Sequence, residues 1–278
     1  QTRLRPTQPN RRVGVPAEDG GDLNHDVRIS EYEVTAQSYA DFLNNAEQAG
    51  RISVNAGKVY NAATGDLYCL TTEVENDAPL TYAPDKQAGE RFAPLNTVAD
   101  HPMVYVSWFG SAAYCNHLSR ENGLTPVYQP NQDWLAETES DGIRLPTEAE
   151  WYKAAAWDAE DRRFRIYGIG SDSIAAGTVN YLNSSRLKDD PAVQTVAVHL
   201  PASRSHYGLA HASGNVWEWC HGFLEKETEQ PDNTARAARG GSWGNVKEDV
   251  CAKSRSGFKP DMALNTVGFR VVTTSVNE

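Results

Sequence analysis

The sequence predicts a mixed α and β protein in which short strands and helices are joined by long irregular stretches. Three observations carry this. Residues 27–34 are rich in β-branched and aromatic side chains and run directly into a segment of helical period. The run Leu145-Pro146-Thr147-Glu148-Ala149-Glu150-Trp151 has capping-box spacing, Thr147 to Glu150, at the head of a helix. From Trp157 to Pro201 the periodicity fades, and Gly, Asn, Ser, Asp and Pro carry the chain.

Residues 1–26 hold Pro6, Pro9, Pro16 and the pair Gly20-Gly21 with few large apolar side chains, and read as an extended arm. After the strand at 27–34, Thr35 caps a helix whose apolar positions are Tyr39, Phe42, Leu43 and Ala46. Residues 51–100 are polar and show no sustained period, so they read as an insertion with short strands at most. Residues 101–108 form a strand that delivers Ser107 as the next cap. The helix behind it puts Ala112, Cys115 and Leu118 on one stripe and stops near Gly123. The helix headed by Thr147 runs to about Ala156, and residues 267–272 read as a final strand. The irregular backbone at 157–201 must be held by bound ions or by buried side-chain hydrogen bonds.

Composition narrows the function. A formal charge of −11 and a pI near 5.1, with no basic stripe, disfavour a nucleic-acid partner, whose phosphates are bound by clustered Lys and Arg. No apolar run approaches the roughly 18–20 residues that span a bilayer. The chain begins at Gln1 rather than Met, which reads as loss of an upstream signal peptide or tag, and a periplasmic or extracellular setting is expected. Cys69, Cys115, Cys220 and Cys251 show no metal-type spacing and read mostly as buried, unpaired thiols. Nucleotide-loop, zincin, EF-hand and hydrolase-elbow motifs are absent from the sequence.

Several separated segments, taken in order, resemble the sulfatase-modifying-factor family, also called the formylglycine-generating enzyme domain. They are Tyr32-Glu33-Val34-Thr35, His101-Pro102, Val106-Ser107-Trp108, Arg144-Leu145-Pro146-Thr147-Glu148-Ala149-Glu150-Trp151, Tyr207-Gly208-Leu209, Gly214-Asn215-Val216-Trp217-Glu218-Trp219, Arg239-Gly240-Gly241-Ser242-Trp243 and Val267-Gly268-Phe269-Arg270. The resemblance spans roughly residues 27 to 272. It implies an α+β, C-type-lectin-like fold of the formylglycine-generating enzyme type, with mixed short strands, two main helices and extensive loops. One domain over residues 27–278 would carry it, with the insertion at about 51–100, behind the arm at 1–26.

The resemblance also implies a site. Enzymes of this family bind copper through two cysteines in the segment after Gly-Gly-Ser, and soft thiolates suit Cu(I). Those positions fall here at Asn245 and near Val250. Cys251 aligns better with a structural cysteine of the family that points into the core, so copper is not expected and neither is conversion of cysteine to formylglycine. Candidate ligand-pocket residues are Trp217, Ser242, Trp243, Asn245 and Arg255. A structural calcium ion is expected at one or both of two sites: Gly214, Val216 and Glu218, or Asn180, Tyr181, Asp189 and Asp190. His211 stands where the first of these usually has an oxygen ligand. His199, His206, His211 and His221 lie near Glu218 in sequence, but they match no iron-ligand spacing and read as hydrogen-bonded loop residues.

Two functions follow from this reading. In one, the protein is non-catalytic and its C-terminal loop surface binds a protein, a glycan or a small ligand, as loops on a rigid scaffold commonly do. In the other, it is an oxidoreductase of the pyoverdine-maturation type that works without the copper cysteines.

Overall fold

The structure is a computed structural model that describes residues 11–21, 23–136, 140–184, 194–199, 204–224 and 234–274. Strands β1 (Arg12–Val15) and β2 (Val27–Ser30) lead into helix α1 (Ala36–Gln48). The insertion carries β3 (Ile52–Asn55), β4 (Lys58–Asn61), β5 (Leu67–Leu70), β6 (Leu80–Tyr82) and β7 (Phe92–Pro94). Helix α2 (Trp108–Glu121) follows, then β8 (Tyr128–Gln129), β9 (Leu135–Ala136) and helix α3 (Glu148–Ala156). The C-terminal half adds β10 (Trp157–Asp158), β11 (Arg163–Phe164), β12 (Trp217–Phe223), β13 (Arg236–Arg239), β14 (Arg255–Phe258), β15 (Val267–Gly268) and β16 (Val272–Thr274).

Local capping explains where the helices start. Thr35 and Ser107 each accept a backbone N–H of the first turn, from Ser38 and Gly110, and Thr147 and Glu150 complete a reciprocal capping box. Tyr39, Phe42, Leu43 and Ala46 bury the inner face of α1. Helix α2 goes further than the single expected stripe. Nearly every residue from Trp108 to Ser119 is buried, because α1, β5 and the β12 sheet close around it. With α1 and α2 as the long helices, α3 is a shorter third.

The N-terminal segment is not only an arm. Residues 1–10 lie outside the described residues, but β1 pairs antiparallel with β2, and β2 pairs with β16 to make a three-stranded sheet that joins the two ends of the chain. Val15 anchors it at 1% exposure. The final strand also differs from expectation. Residues 267–272 divide between two sheets, with β15 parallel to β12 and β16 antiparallel to β2, because Arg270 between them turns into the core. The main C-terminal sheet runs β14-β13-β12-β15. No helix among the described residues is long and apolar enough to cross a membrane.

Candidate functional site

The C-terminal loops are organised around a buried ion pair. Strand β12 carries Glu218 inward, and Arg270 meets it with Nε to Oε2 at 2.5 Å and Nη2 to Oε1 at 2.7 Å. Trp151 Nε1 donates to Oε2 at 2.6 Å. The remaining guanidinium protons go to the carbonyls of Ser30, Glu31 and Ala210. Burial raises the Glu218 carboxyl while Arg270 opposes the shift, and the same pairing raises Arg270 against its own burial. This is the carboxylate that the family resemblance offers as a calcium ligand. Both of its oxygens are engaged by a cation, and a second cation against them would face the guanidinium charge at close range.

The Gly-Gly-Ser turn, where the resemblance places three of the candidate pocket residues, follows strand β13. Gly240 and Gly241 have φ of +94° and +75°, and a Cβ on Gly241 would sit 2.6 Å from the Asp249 carbonyl oxygen, so only glycine fits there. Ser242 then folds back on Asn245. Its Oγ donates to Asn245 Oδ1 at 2.7 Å, its N–H donates to the same oxygen at 3.0 Å, and Gly244 N–H donates to Ser242 Oγ at 3.3 Å. Val250 is fully buried. The neighbouring Cys251, expected to point into the core, packs against the Tyr167, Ile169, Val179 and Val250 cluster but is not fully enclosed. It is half-buried, with Sγ 3.2 Å from Ser254 Oγ, because Val250 and Ala252 on either side take the interior positions. The donors here are an amide held by Ser242 and an aliphatic side chain, which do not fit a dithiolate copper site.

Asn215 links the parts. In the left-handed region at φ +64°, it donates from Nδ2 to Glu33 Oε1 at 3.0 Å. Its Oδ1 accepts from Asn180 Nδ2 at 3.2 Å and Val196 N–H at 2.9 Å. Its backbone bonds both Asn180 and Trp243. Asn180 Oδ1 and Glu33 Oε2 flank it, buried and without a hydrogen-bond donor among the described residues, and burial pushes the Glu33 carboxyl up. Two unsatisfied oxygens are what a hard cation takes, so the Asn180 side fits calcium better than Glu218 does. The Tyr181 carbonyl accepts from Ser184 N–H, and Asp189 and Asp190 lie outside the described residues. Gly214 approaches Asn180 backbone to backbone.

The ligand-pocket candidates separate in space. Ser242, Trp243 and Asn245 share one turn, with Trp243 Nε1 donating to the Asn265 carbonyl. Trp217 is buried behind it against Phe258, and Arg255 is elsewhere, bound to both oxygens of Glu148. The histidines do not converge either. His221 bonds Tyr128 and is held near pKa 4 by burial and by Arg144 and Arg236; His206 faces Asp158 and His199 faces Asp100. Among the described residues no three His, Cys, Asp or Glu side chains form a metal-binding group. Sequence reasoning missed Arg270, Asn215 and Glu33. The signal was available for Arg270, since a cation inside an apolar strand pattern needs a buried acid.

A sulfatase-modifying factor enzyme 1-like domain matches residues 9–275, nearly the whole chain. The chain belongs to this family. It is 29% identical to the formylglycine-generating enzyme of Streptomyces coelicolor, covering 92% of this chain and 82% of that one. It is 30% identical to the serine/threonine-protein kinase pkn1 of Chlamydia pneumoniae over 62% of this chain, but spans only 24% of that protein's length. The crystal structure of CarF superposes with a TM-score of 0.67 at 22% identity, over 96% of this chain and 99% of that one. The fold is therefore the α+β fold of the formylglycine-generating enzyme family.

Proposed function

We propose that this family member is a binding protein whose C-terminal loop surface recognises a protein, a glycan or a small ligand, and that it does not generate formylglycine. The observation that carries this reading is the Ser242 and Asn245 lock. An amide with its oxygen spent on Ser242 stands at the expected first thiolate position, and fully buried Val250 lies near the expected second. Beside the lock lies a surface suited to recognition. Val246 and Leu182 are exposed, Trp243 is half-exposed, and Leu182 N–H is tied to the Asn245 carbonyl. An aromatic ring and two aliphatic side chains held on rigid backbone lose little entropy when covered. A calcium ion at Asn180, which reaches Trp243 through the Asn215 backbone, belongs to the same reading and would stiffen the loops.

The test is binding to immobilised glycans and peptides, comparing the native protein with Trp243→Ala, together with metal analysis of protein purified without chelator. Saturable binding that Trp243→Ala weakens at least about tenfold is expected, with calcium as the bound metal. Copper or iron near one equivalent, with no saturable binding on either array, would overturn the proposal in favour of an oxidoreductase.

A further inference from the structure

A cavity of about 440 Å³ opens far from these loops in sequence, between the C-terminal end of α1, the β3-β4-β5 sheet and α2. Its floor is apolar and aromatic: Phe42, Ala46, Tyr68 and Ala113 are buried core side chains that also line the cavity. Trp134 forms one wall. Asp133 and Trp134 both adopt left-handed backbone, φ +51° and +57°, and Trp134 Nε1 is fixed to Asp66 Oδ2 at 2.7 Å. The indole stands edge-on to Tyr68 at 6.2 Å. Two consecutive non-glycine residues in this region cost free energy, and here they hold an aromatic wall open.

The rim carries two guanidinium groups, Arg51 at the start of the insertion and Arg120 in the last turn of α2. Both are exposed, and neither side chain has a hydrogen bond or ion pair among the described residues. Arg12, Arg28 and Arg162 share this lack of a partner among the described residues, whereas Arg91, Arg144, Arg165, Arg204, Arg239 and Arg270 all meet carboxylates. Among the described residues no acidic side chain lines the cavity, in a chain with 37 Asp and Glu against 26 Lys and Arg. Asp66, behind the wall, is already bound by Trp134 and Thr64. Partial burial and the charge of Arg51 lower the Arg120 pKa, so the two cations act on each other with no anion between them.

We propose that this cavity is a binding site for a small organic anion of the aryl or arylalkyl carboxylate class, its carboxylate between Arg51 and Arg120 and its ring on the Phe42, Tyr68 and Trp134 surface. Guanidinium groups bind carboxylates through paired, charge-assisted hydrogen bonds, and a bound anion relieves their mutual repulsion. The cavity is of small-ligand size, and its apolar floor disfavours a bare inorganic anion. The site uses other elements than the C-terminal loops and stands independently of the function proposed for them.

Isothermal titration calorimetry with phenylacetate tests this. The native protein is expected to bind phenylacetate saturably at one site, and to bind neutral phenylacetamide or inorganic phosphate at least about tenfold more weakly. Arg51→Ala/Arg120→Ala should lose at least about tenfold in affinity, while Arg51→Lys/Arg120→Lys keeps part of it. Both arginines are exposed, so the variants should melt as the native protein does. Phenylacetamide or phosphate binding as tightly as phenylacetate, unchanged affinity in the double alanine variant, or no saturable phenylacetate binding would each overturn the proposal.

Discussion

Removing one partner of the Glu218 and Arg270 pair should be among the most damaging single changes in this protein. Both side chains are essentially inaccessible, at 1% and 0% exposure, and the two contacts of 2.5 and 2.7 Å are bidentate. Glu218→Gln preserves shape and one acceptor but leaves a buried guanidinium without its counter-charge. Breaking such a pair costs about 3–5 kcal/mol, and the retained amide oxygen places Glu218→Gln near 3. Arg270→Met leaves the carboxylate buried alone and also takes the donors from the carbonyls of Ser30, Glu31 and Ala210. At about 1 kcal/mol for each lost bond, its cost exceeds about 5 kcal/mol. With about 2–4 °C of melting temperature per kcal/mol in a chain of this size, Glu218→Gln should melt at least about 6 °C lower and Arg270→Met more than about 10 °C lower. Urea unfolding and calorimetry would measure both. The double variant should lose less than the sum of the singles by about 2 kcal/mol, since it removes both members of the pair. A Glu218→Gln protein within about 1 kcal/mol of native, or strict additivity, would refute the reasoning.

Three further outcomes follow from the same geometry. Burial alone would raise Glu150, yet Arg144, with His25 and the Thr147 N–H, holds its pKa at about 2 against an ordinary 4.5. A depressed carboxylate stabilises the fold above its unfolded pKa, so about 3 kcal/mol should be lost as pH falls from about 5 to 2; urea titrations across that range should show it, and Glu150→Gln should flatten the profile. Gly214→Ala should cost about 3 kcal/mol or more by urea unfolding, because φ is +72° and the new Cβ would meet the Asn180 carbonyl oxygen at 2.2 Å. Calcium should raise the melting temperature and a chelator lower it, and Asn180→Ala should abolish both responses, read by differential scanning fluorimetry.

The parts of the fold legible in the sequence were those fixed by neighbours. Thr35, Ser107 and Thr147 cap their helices through contacts three residues away, so spacing alone locates them. Strand β1 was hidden because its alternation is only four residues long among prolines and glycines, and its sheet is completed by β16 at the other end of the chain. The break between β15 and β16 is likewise tertiary: an apolar run with one arginine reads as a strand until the acid 52 residues away is known. In the site, Ser242 and Asn245 are named through the family resemblance, and their mutual hydrogen bond, three residues apart in one turn, is seen in the structure. Arg255 was not, since its partner Glu148 lies on α3. Glu218 is offered as an ion ligand by the family resemblance alone, and its pairing with Arg270, 52 residues away, is a tertiary contact that spacing does not show.

Without two thiolates after Gly-Gly-Ser the protein should not form formylglycine, and that reaction can be assayed directly. A sulfatase-type peptide containing cysteine, incubated with the native protein, copper, reductant and oxygen, should be recovered at unchanged mass. Asn245→Cys should give the same result, because its partner position is the buried aliphatic Val250 and half-buried Cys251 lies one residue further along. Mass spectrometry showing the loss of sulfur that marks the aldehyde, in repeated turnovers by the unmodified protein, would contradict the assignment of Asn245 and Val250 to the thiolate positions and the binding role built on it.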